Sequence, residues 1–207
     1  MDRKFLVIIA VIILGFAGLV IFQKNSEPPI DVIRSNNVTG KLDSKVTLTE
    51  YVDFQCEACA AFYPTVEAVK AEYKDRVKFQ VKYFPLGGGH QYSRLTASYA
   101  EAAARQGKFF EMQDLLFPNQ KVWETGNTQE YMDRYAKEIG LDMTKVSTDV
   151  KSSSVSATIN ADLKEVREMG GTGTPTFALN NNRIDNPDNT VEAFAKLLDD
   201  ALAKAGQ

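Results

Sequence analysis

Val46 to Phe54 reads VTLTEYVDF and runs straight into Gln55-Cys56-Glu57-Ala58-Cys59. No other stretch limits the fold as much as this join. Its first part is rich in β-branched and aromatic residues and predicts a strand. Beyond it, Phe62, Val66, Val69 and Tyr73 recur at helical spacing, which predicts a helix over about 57–74 with its apolar stripe on the sheet. Cys56 and Cys59 are the only two cysteines. They are too close in sequence to tie distant parts of the chain together. The fold must therefore rest on apolar burial, and 207 residues of which 44% are hydrophobic suffice for a core.

Alternation along the first strand places Val46, Leu48, Glu50, Val52 and Phe54 on one face. Four of these five are apolar, so Glu50 points where a carboxylate is costly. Asp53 falls on the opposite face, where it could act near the thiols or cap the following helix. Pro64 should kink that helix. Val77 to Phe84 predicts a second strand. After the break at Pro85-Leu86-Gly87-Gly88-Gly89, residues from about Tyr92 to Met169 predict four or five helices, with Gly107, Pro118, Gly126 and Gly140 at the joints. Trp123, Phe109 and Phe110 are expected in the core of this block. Thr176–Leu179 and Arg183–Ile184 predict a hairpin across Asn180-Asn181-Asn182. Thr190 to Lys204 predicts a closing amphipathic helix. The order β-α-β, helical block, β-β-α implies an α/β fold: one mixed sheet with helices packed on it and an inserted helical lobe.

The N-terminal run Phe5–Phe22 carries no charge. As a helix it would span about 27 Å, close to the hydrocarbon thickness of a bilayer. Arg3 and Lys4 precede it, and Lys24 is soon offset by Glu27 and Asp31, a bias that places the C-terminal part outside the cytoplasm. A cleaved signal peptide is the rival reading, but no small-residue cleavage pattern ends the run. Gln23 to about Asn37 is polar, carries Pro28-Pro29 and predicts a tether. Asn37-Val38-Thr39 fits a glycosylation sequon. The net charge is −3 with scattered basic residues, which argues against nucleic-acid binding.

Two cysteines three apart at a helix start have a definite chemistry. Unpaired N–H groups and the helix dipole favour an anion at Cys56, and the thiolate is the reactive species. Cys59 lies nearly one turn deeper and can resolve a mixed disulfide intramolecularly. A structural disulfide, half of a zinc site and a pair of inert core cysteines are the alternatives. The zinc reading lacks a second half, because His90 is the only histidine and no further cysteine exists.

EYVDFQCEAC, Pro64 eight residues after Cys56, HQYSRLTASYAEAAARQGKFFEMQDLLF and the late GTGTPTF together resemble the DsbA-like class of thioredoxin-fold proteins, in particular its exported, N-terminally anchored group. The resemblance covers most of the chain after the tether. It implies residues 1–24 as anchor or signal peptide and 25–40 as extracytoplasmic tether. Residues 41–86 and 171–207 would be the two parts of a thioredoxin-like domain, and 87–170 an inserted helical domain. It also implies Cys56 as the exposed nucleophile, Cys59 as the resolving cysteine, and Thr174-Pro175 as a cis-proline loop that receives the substrate chain. Glu50 matches a buried acid beneath the active site that relays a proton to and from Cys59. Similar proteins often carry a histidine at the place of His90, where a loop or cap role is the simpler reading.

Glu57 and Ala58 between the cysteines tune the pair. Strongly oxidising members carry proline and histidine there, so the charge of Glu57 is expected to leave Cys56 less acidic than in those members. The implied activity is protein-disulfide oxidoreduction on reduced or misoxidised exported proteins, introducing disulfides without a cofactor or metal beyond the cysteine pair. A membrane redox partner would recycle the pair, and the protein would act as a membrane-held monomer outside the cytoplasm. A tethered reductase or isomerase and a non-catalytic redox-responsive binding module remain alternatives.

Overall fold

The computed structural model describes residues 9, 12–16 and 37–206. The chain divides into two compact units, residues 1–31 and 32–207. In the first, residues 9 and 12–16 are helical, with exposed Ile9, Ile12, Ile13, Leu14 and Phe16. Among the described residues no helix is long and apolar enough to cross a membrane. Most of the 5–22 stretch behind the expected anchor lies outside the described residues, as does the tether up to residue 36.

The second unit is built on five strands: β1 Val38–Gly40, β2 Thr47–Val52, β3 Lys78–Tyr83, β4 Thr176–Leu179 and β5 Asn182–Arg183. Their order is β1-β3-β2-β4-β5. β2 and β3 are parallel, joined through helix α1 Glu57–Tyr73, and every other pair is antiparallel. β2 therefore lies in the middle, paired on both sides, with Glu50 opposite Val81 and Phe177. The helices that follow are α2 Ser93–Ala104, α3 Phe109–Leu116, α4 Gln120–Thr125, α5 Thr128–Glu138, α6 Met143–Asp149, α7 Ser153–Glu168 and α8 Val191–Ala205. The block between the sheet halves thus holds six helices rather than four or five. The extra ones are the short α4 and α6, each under two turns or about two turns long and hard to read from periodicity.

Burial follows the strand alternation. On one face Val46, Leu48, Phe79 and Phe177 meet Val66, Val69 and Tyr73 of α1 and Phe194, Leu198 and Leu202 of α8. Toward the end of β2 that carries the cysteines, Val52, Phe54, Val81 and Tyr83 join a core with Ala97, Phe109, Met112, Leu116 and Trp123. The helical block shares this core with the sheet, and Phe110 packs against it partly buried. On the opposite face Tyr51, Phe84 and Ala178 are covered by Val166, Leu163 and Met169 at α7. Because both faces are covered, Thr49 and Tyr51 are buried as well as the even-numbered set.

Two expectations need correction, the end of the tether and the length of the hairpin loop. The tether does not extend to residue 40: Val38–Gly40 is an edge strand antiparallel to β3, too short to carry a periodic signal. Asn37 is 1% exposed and donates through Nδ2 to Tyr83 Oη at 3.1 Å, so the sequon is folded into the core edge rather than presented to solvent. The hairpin closes on two residues, Asn180 and Asn181, both at positive φ (50° and 64°), as a tight turn between right-twisted strands requires. Asn182 therefore belongs to β5 instead of the loop. α1 runs as one helix through Pro64.

Candidate active site

The site forms where β2 ends and α1 begins. Cys56 is the N-cap of α1, with extended backbone (φ −78°, ψ 121°) and no side-chain cap bond to the first turn. The Ala58 and Cys59 amides of the first turn favour its thiolate. Both cysteines are free thiols, Cys56 8% exposed and Cys59 fully buried. On the other side stands Thr174-Pro175, whose peptide bond is cis. Cys56 Sγ lies 3.4 Å from Thr174 O, as a weak donor to that carbonyl. The loop itself is pinned: Asn186 Nδ2 donates to Pro175 O at 2.8 Å, and Thr176 Oγ1 to Gly173 O at 2.7 Å. Gly171 is required behind it, since a Cβ there would meet Val166 Cγ2 at 2.6 Å.

The two thiols have opposite acidities. The Cys59 thiol donating to Cys56, aided by the Thr174 side chain and by the Cys59 and Ala58 amides, outweighs burial and brings Cys56 down to about 5. Cys59 goes the other way: burial, the Cys56 sulfur and the Glu50 carboxyl all push it up, and only the Asp53 amide opposes them. Reactive cysteines at helix N-termini span roughly 3.5 to 7.5, so Cys56 sits inside that range and above its floor. Glu57 is exposed and is not among the groups that set this acidity.

This acidity has a measurable consequence. The folded value lies below the unfolded one, so the thiolate stabilises the reduced protein at high pH, and that contribution is lost as pH falls through about 5. At pH 7 it amounts to roughly 2 to 3 kcal/mol. Thiolate ultraviolet absorbance of the reduced protein should titrate with its midpoint near 5. A midpoint near 9 would contradict the geometry described above.

Glu50 is 5% exposed in the middle of the sheet, under α1. Burial raises its carboxyl to about 7, Lys70 pulls it down and Glu67 pushes it up. Lys70, itself 7% exposed, donates to Glu67 Oε1 at 2.7 Å and lies 5.0 Å over the Phe110 ring. Strand alternation found Glu50. It did not find Lys70, whose only sequence signal is its i,i+3 spacing from Glu67.

Asp53 and His90 also belong to this region. Asp53 is buried, and its Oδ2 accepts from Leu86 N (3.0 Å) and Ser93 Oγ (2.7 Å) and lies 3.0 Å from His90 Nδ1. Its Oδ1 accepts from Gln55 N at 2.9 Å, and its carbonyl accepts from Cys56 N at 3.0 Å. Gln55, which sequence reasoning missed, accepts from Tyr92 N and donates to Glu124 Oε1, and Gln120 Nε2 donates to Phe54 O. Polar residues flanking a cysteine pair are the signal that could have pointed to them. No group of three or more potential metal ligands exists among the described residues.

A family model described as thioredoxin matches residues 34–200. The chain belongs to that family. Among curated proteins, the Na(+)/H(+) antiporter NhaA of Herminiimonas arsenicoxydans is 32% identical over 158 residues, covering 76% of this chain and 24% of that protein. NhaA 3 of Salinispora tropica is 32% identical over 177 residues, covering 86% and 26%. This thioredoxin-family chain thus spans about a quarter of the length of these relatives. Among solved structures, oxidised BdbD from Bacillus subtilis superposes with a TM-score of 0.71 at 22% identity, over 81% of this chain and 92% of that one. A thioredoxin-like oxidoreductase from Silicibacter pomeroyi gives 0.67 at 23%, over 84% and 98%, and the T172V form of alpha-DsbA1 from Wolbachia pipientis 0.70 at 17%, over 82% and 92%. The fold is the thioredoxin-like fold of DsbA-type proteins, a mixed five-stranded sheet flanked by helices.

Proposed function

We propose that this domain is a thiol:disulfide oxidoreductase that passes the Cys56–Cys59 disulfide to exported proteins outside the cytoplasm. The observation that carries the reading is the opposed acidity of the two thiols across one helical turn. A stabilised Cys56 thiolate favours the reduced pair, and a pair whose reduced form is favoured is an oxidant.

The steps follow from the geometry. A substrate thiolate attacks Cys56 Sγ, breaks the Cys56–Cys59 bond and expels the Cys59 thiolate, which takes a proton. A second substrate thiolate attacks the substrate sulfur of the mixed disulfide and releases Cys56 as a thiolate. The substrate loses two electrons to the pair. Cys59 has to gain and lose its proton in a buried place, and a Glu50 carboxyl near 7 is suited to exchange it at neutral pH. The substrate chain would pair with the backbone at Thr174, in the manner of strand addition. Ala58 tunes the pair through its amide. A membrane redox partner would re-oxidise the thiols, residues 5–22 would hold the domain at the membrane, and the domain would work as a monomer.

The test uses oxidised protein and a reduced two-cysteine peptide. One equivalent of peptide disulfide should form while the protein gains two thiols. An inert oxidised protein overturns the reading. Should the reduced protein instead consume peptide disulfides while the oxidised form stays inert, the domain is a reductase.

A further inference from the structure

The short segment 184–190, between β5 and α8, touches both halves of the site. Ile184 N donates to Phe177 O at 3.0 Å and ends the hairpin beside β4. Asn186 Nδ2 then donates to Pro175 O at 2.8 Å. Asn189 Nδ2 donates to Ala61 O at 2.9 Å, in the part of α1 just past the cysteines. Pro64 has no N–H to give Ala60 O, so the ladder of α1 is already interrupted beside the carbonyl that Asn189 takes. Pro187 stiffens the chain between the two asparagines. Thr190 caps α8, its Oγ1 accepting from Ala193 N at 3.2 Å. One strap thus ties the proline loop to the cysteine helix.

The loop it holds has three successive carbonyls, each met by a donor. Thr176 Oγ1 meets Gly173 O at 2.7 Å, Cys56 Sγ meets Thr174 O at 3.4 Å, and Asn186 Nδ2 meets Pro175 O. Only the middle one is met by the reacting sulfur. In the oxidised pair Cys56 carries no S–H, which opens Thr174 O to an amide of a substrate strand while its two neighbours stay held.

We propose that Asn186, backed by Asn189, is a positioning residue for the substrate chain: it fixes the Pro175 carbonyl so that the Thr174 backbone faces an extended, cysteine-containing peptide beside Cys56. This rests on the disulfide-exchange reading above. The reaction that tests it is balanced. One thiolate of a reduced dithiol attacks Cys56 Sγ, the Cys56–Cys59 bond breaks, and Cys59 leaves as a thiolate that takes a proton. The second thiolate of the dithiol attacks the dithiol's first sulfur and releases the Cys56 thiolate. The dithiol loses two electrons and the cysteine pair gains them.

Single turnovers of the oxidised full chain are followed with three reduced dithiols: dithiothreitol, a two-cysteine peptide, and the same peptide N-methylated on the residues flanking its cysteines. Methylation removes the amides that backbone pairing needs. In Asn186→Ala the concentration of the plain peptide that gives the half-maximal rate should rise about fivefold, the effect of one lost hydrogen bond, while the plateau rate changes less than about twofold. Dithiothreitol has no backbone to pair and should react at the wild-type rate. The methylated peptide should engage wild type weakly and lose less than about twofold more in Asn186→Ala. Asn189→Ala, which frees the strap from α1 and keeps Asn186, should raise the plain-peptide value about twofold. Both asparagines are exposed, so neither variant loses core packing. An unchanged plain-peptide value in Asn186→Ala overturns the proposal, as does an equal loss with dithiothreitol or with the methylated peptide. Wild-type protein that oxidises none of the three overturns the exchange reading itself, and the positioning role with it.

Discussion

Cys56→Ser should lower disulfide exchange by on the order of a thousandfold or more, because a serine hydroxyl offers neither a thiolate at neutral pH nor a sulfur to attack. The fold should survive the change. Residue 56 is the N-cap of α1 in extended conformation, and serine is among the residues best suited to that place. The comparison variant is Cys59→Ala. It keeps the nucleophile and removes the resolving thiol, so when Cys56 thiolate attacks glutathione disulfide and releases glutathione thiolate, the Cys56–glutathione mixed disulfide should accumulate. It also removes the largest cause of the Cys56 acidity, the Cys59 thiol donating to it. The thiolate midpoint should therefore move up from about 5 toward the ordinary thiol value. Exchange of oxidised protein with a reduced dithiol peptide for Cys56→Ser, adduct trapping from glutathione disulfide for Cys59→Ala, and thiolate absorbance on Cys59→Ala check the pair. Equal loss in both variants, with no trapped adduct in Cys59→Ala, would deny the division of labour.

The parts of this arrangement that follow local rules were legible in the sequence. Val46–Phe54 announces a strand because its neighbours alternate, and alternation alone put Glu50 under the apolar face. Phe62, Val66, Val69 and Tyr73 gave α1 its stripe. The thioredoxin-like order of elements then follows from where the strands and helices fall. What escaped was non-local. β1 is three residues long and exists because β3 offers it an edge. Asn37 opens a sequon, yet its amide is buried and donates to Tyr83. The four partners of the buried Asp53 carboxyl come from as far away as Ser93, and no spacing rule brings residue 53 to residue 93. Lys70 belongs to a helix stripe that reads as surface, and only the packing of α3, with Phe110 under its ammonium, encloses it. The acidity of Cys56 was expected to depend on Glu57. The structure turns Glu57 outward and sets the acidity through Cys59 and Thr174.

Glu50→Gln should make the protein more stable and less active at once. The folded carboxyl titrates near 7, above its ordinary 4.5, because burial disfavours its charge more than Lys70 favours it. A raised folded value means that the native state holds the proton more tightly than the unfolded chain. Folding is unpenalised below about pH 4.5 and loses stability as pH rises through 7. Above that pH the cost reaches about 3 kcal/mol. Glutamine keeps the neutral shape, so the variant should exceed wild type by about that amount at pH 8 and match it at pH 4. Denaturant unfolding of the oxidised form at the two pH values measures the difference without a contribution from the Cys56 thiolate. Turnover should move the other way. Glutamine cannot exchange a proton with Cys59, and steps in which Cys59 leaves or attacks should slow by at least about tenfold near neutral pH. A gain in stability at pH 8 without a slower Cys59 step would make Glu50 a buried charge with no part in the chemistry. A slower step with unchanged stability would place its proton elsewhere than the burial of the carboxyl requires.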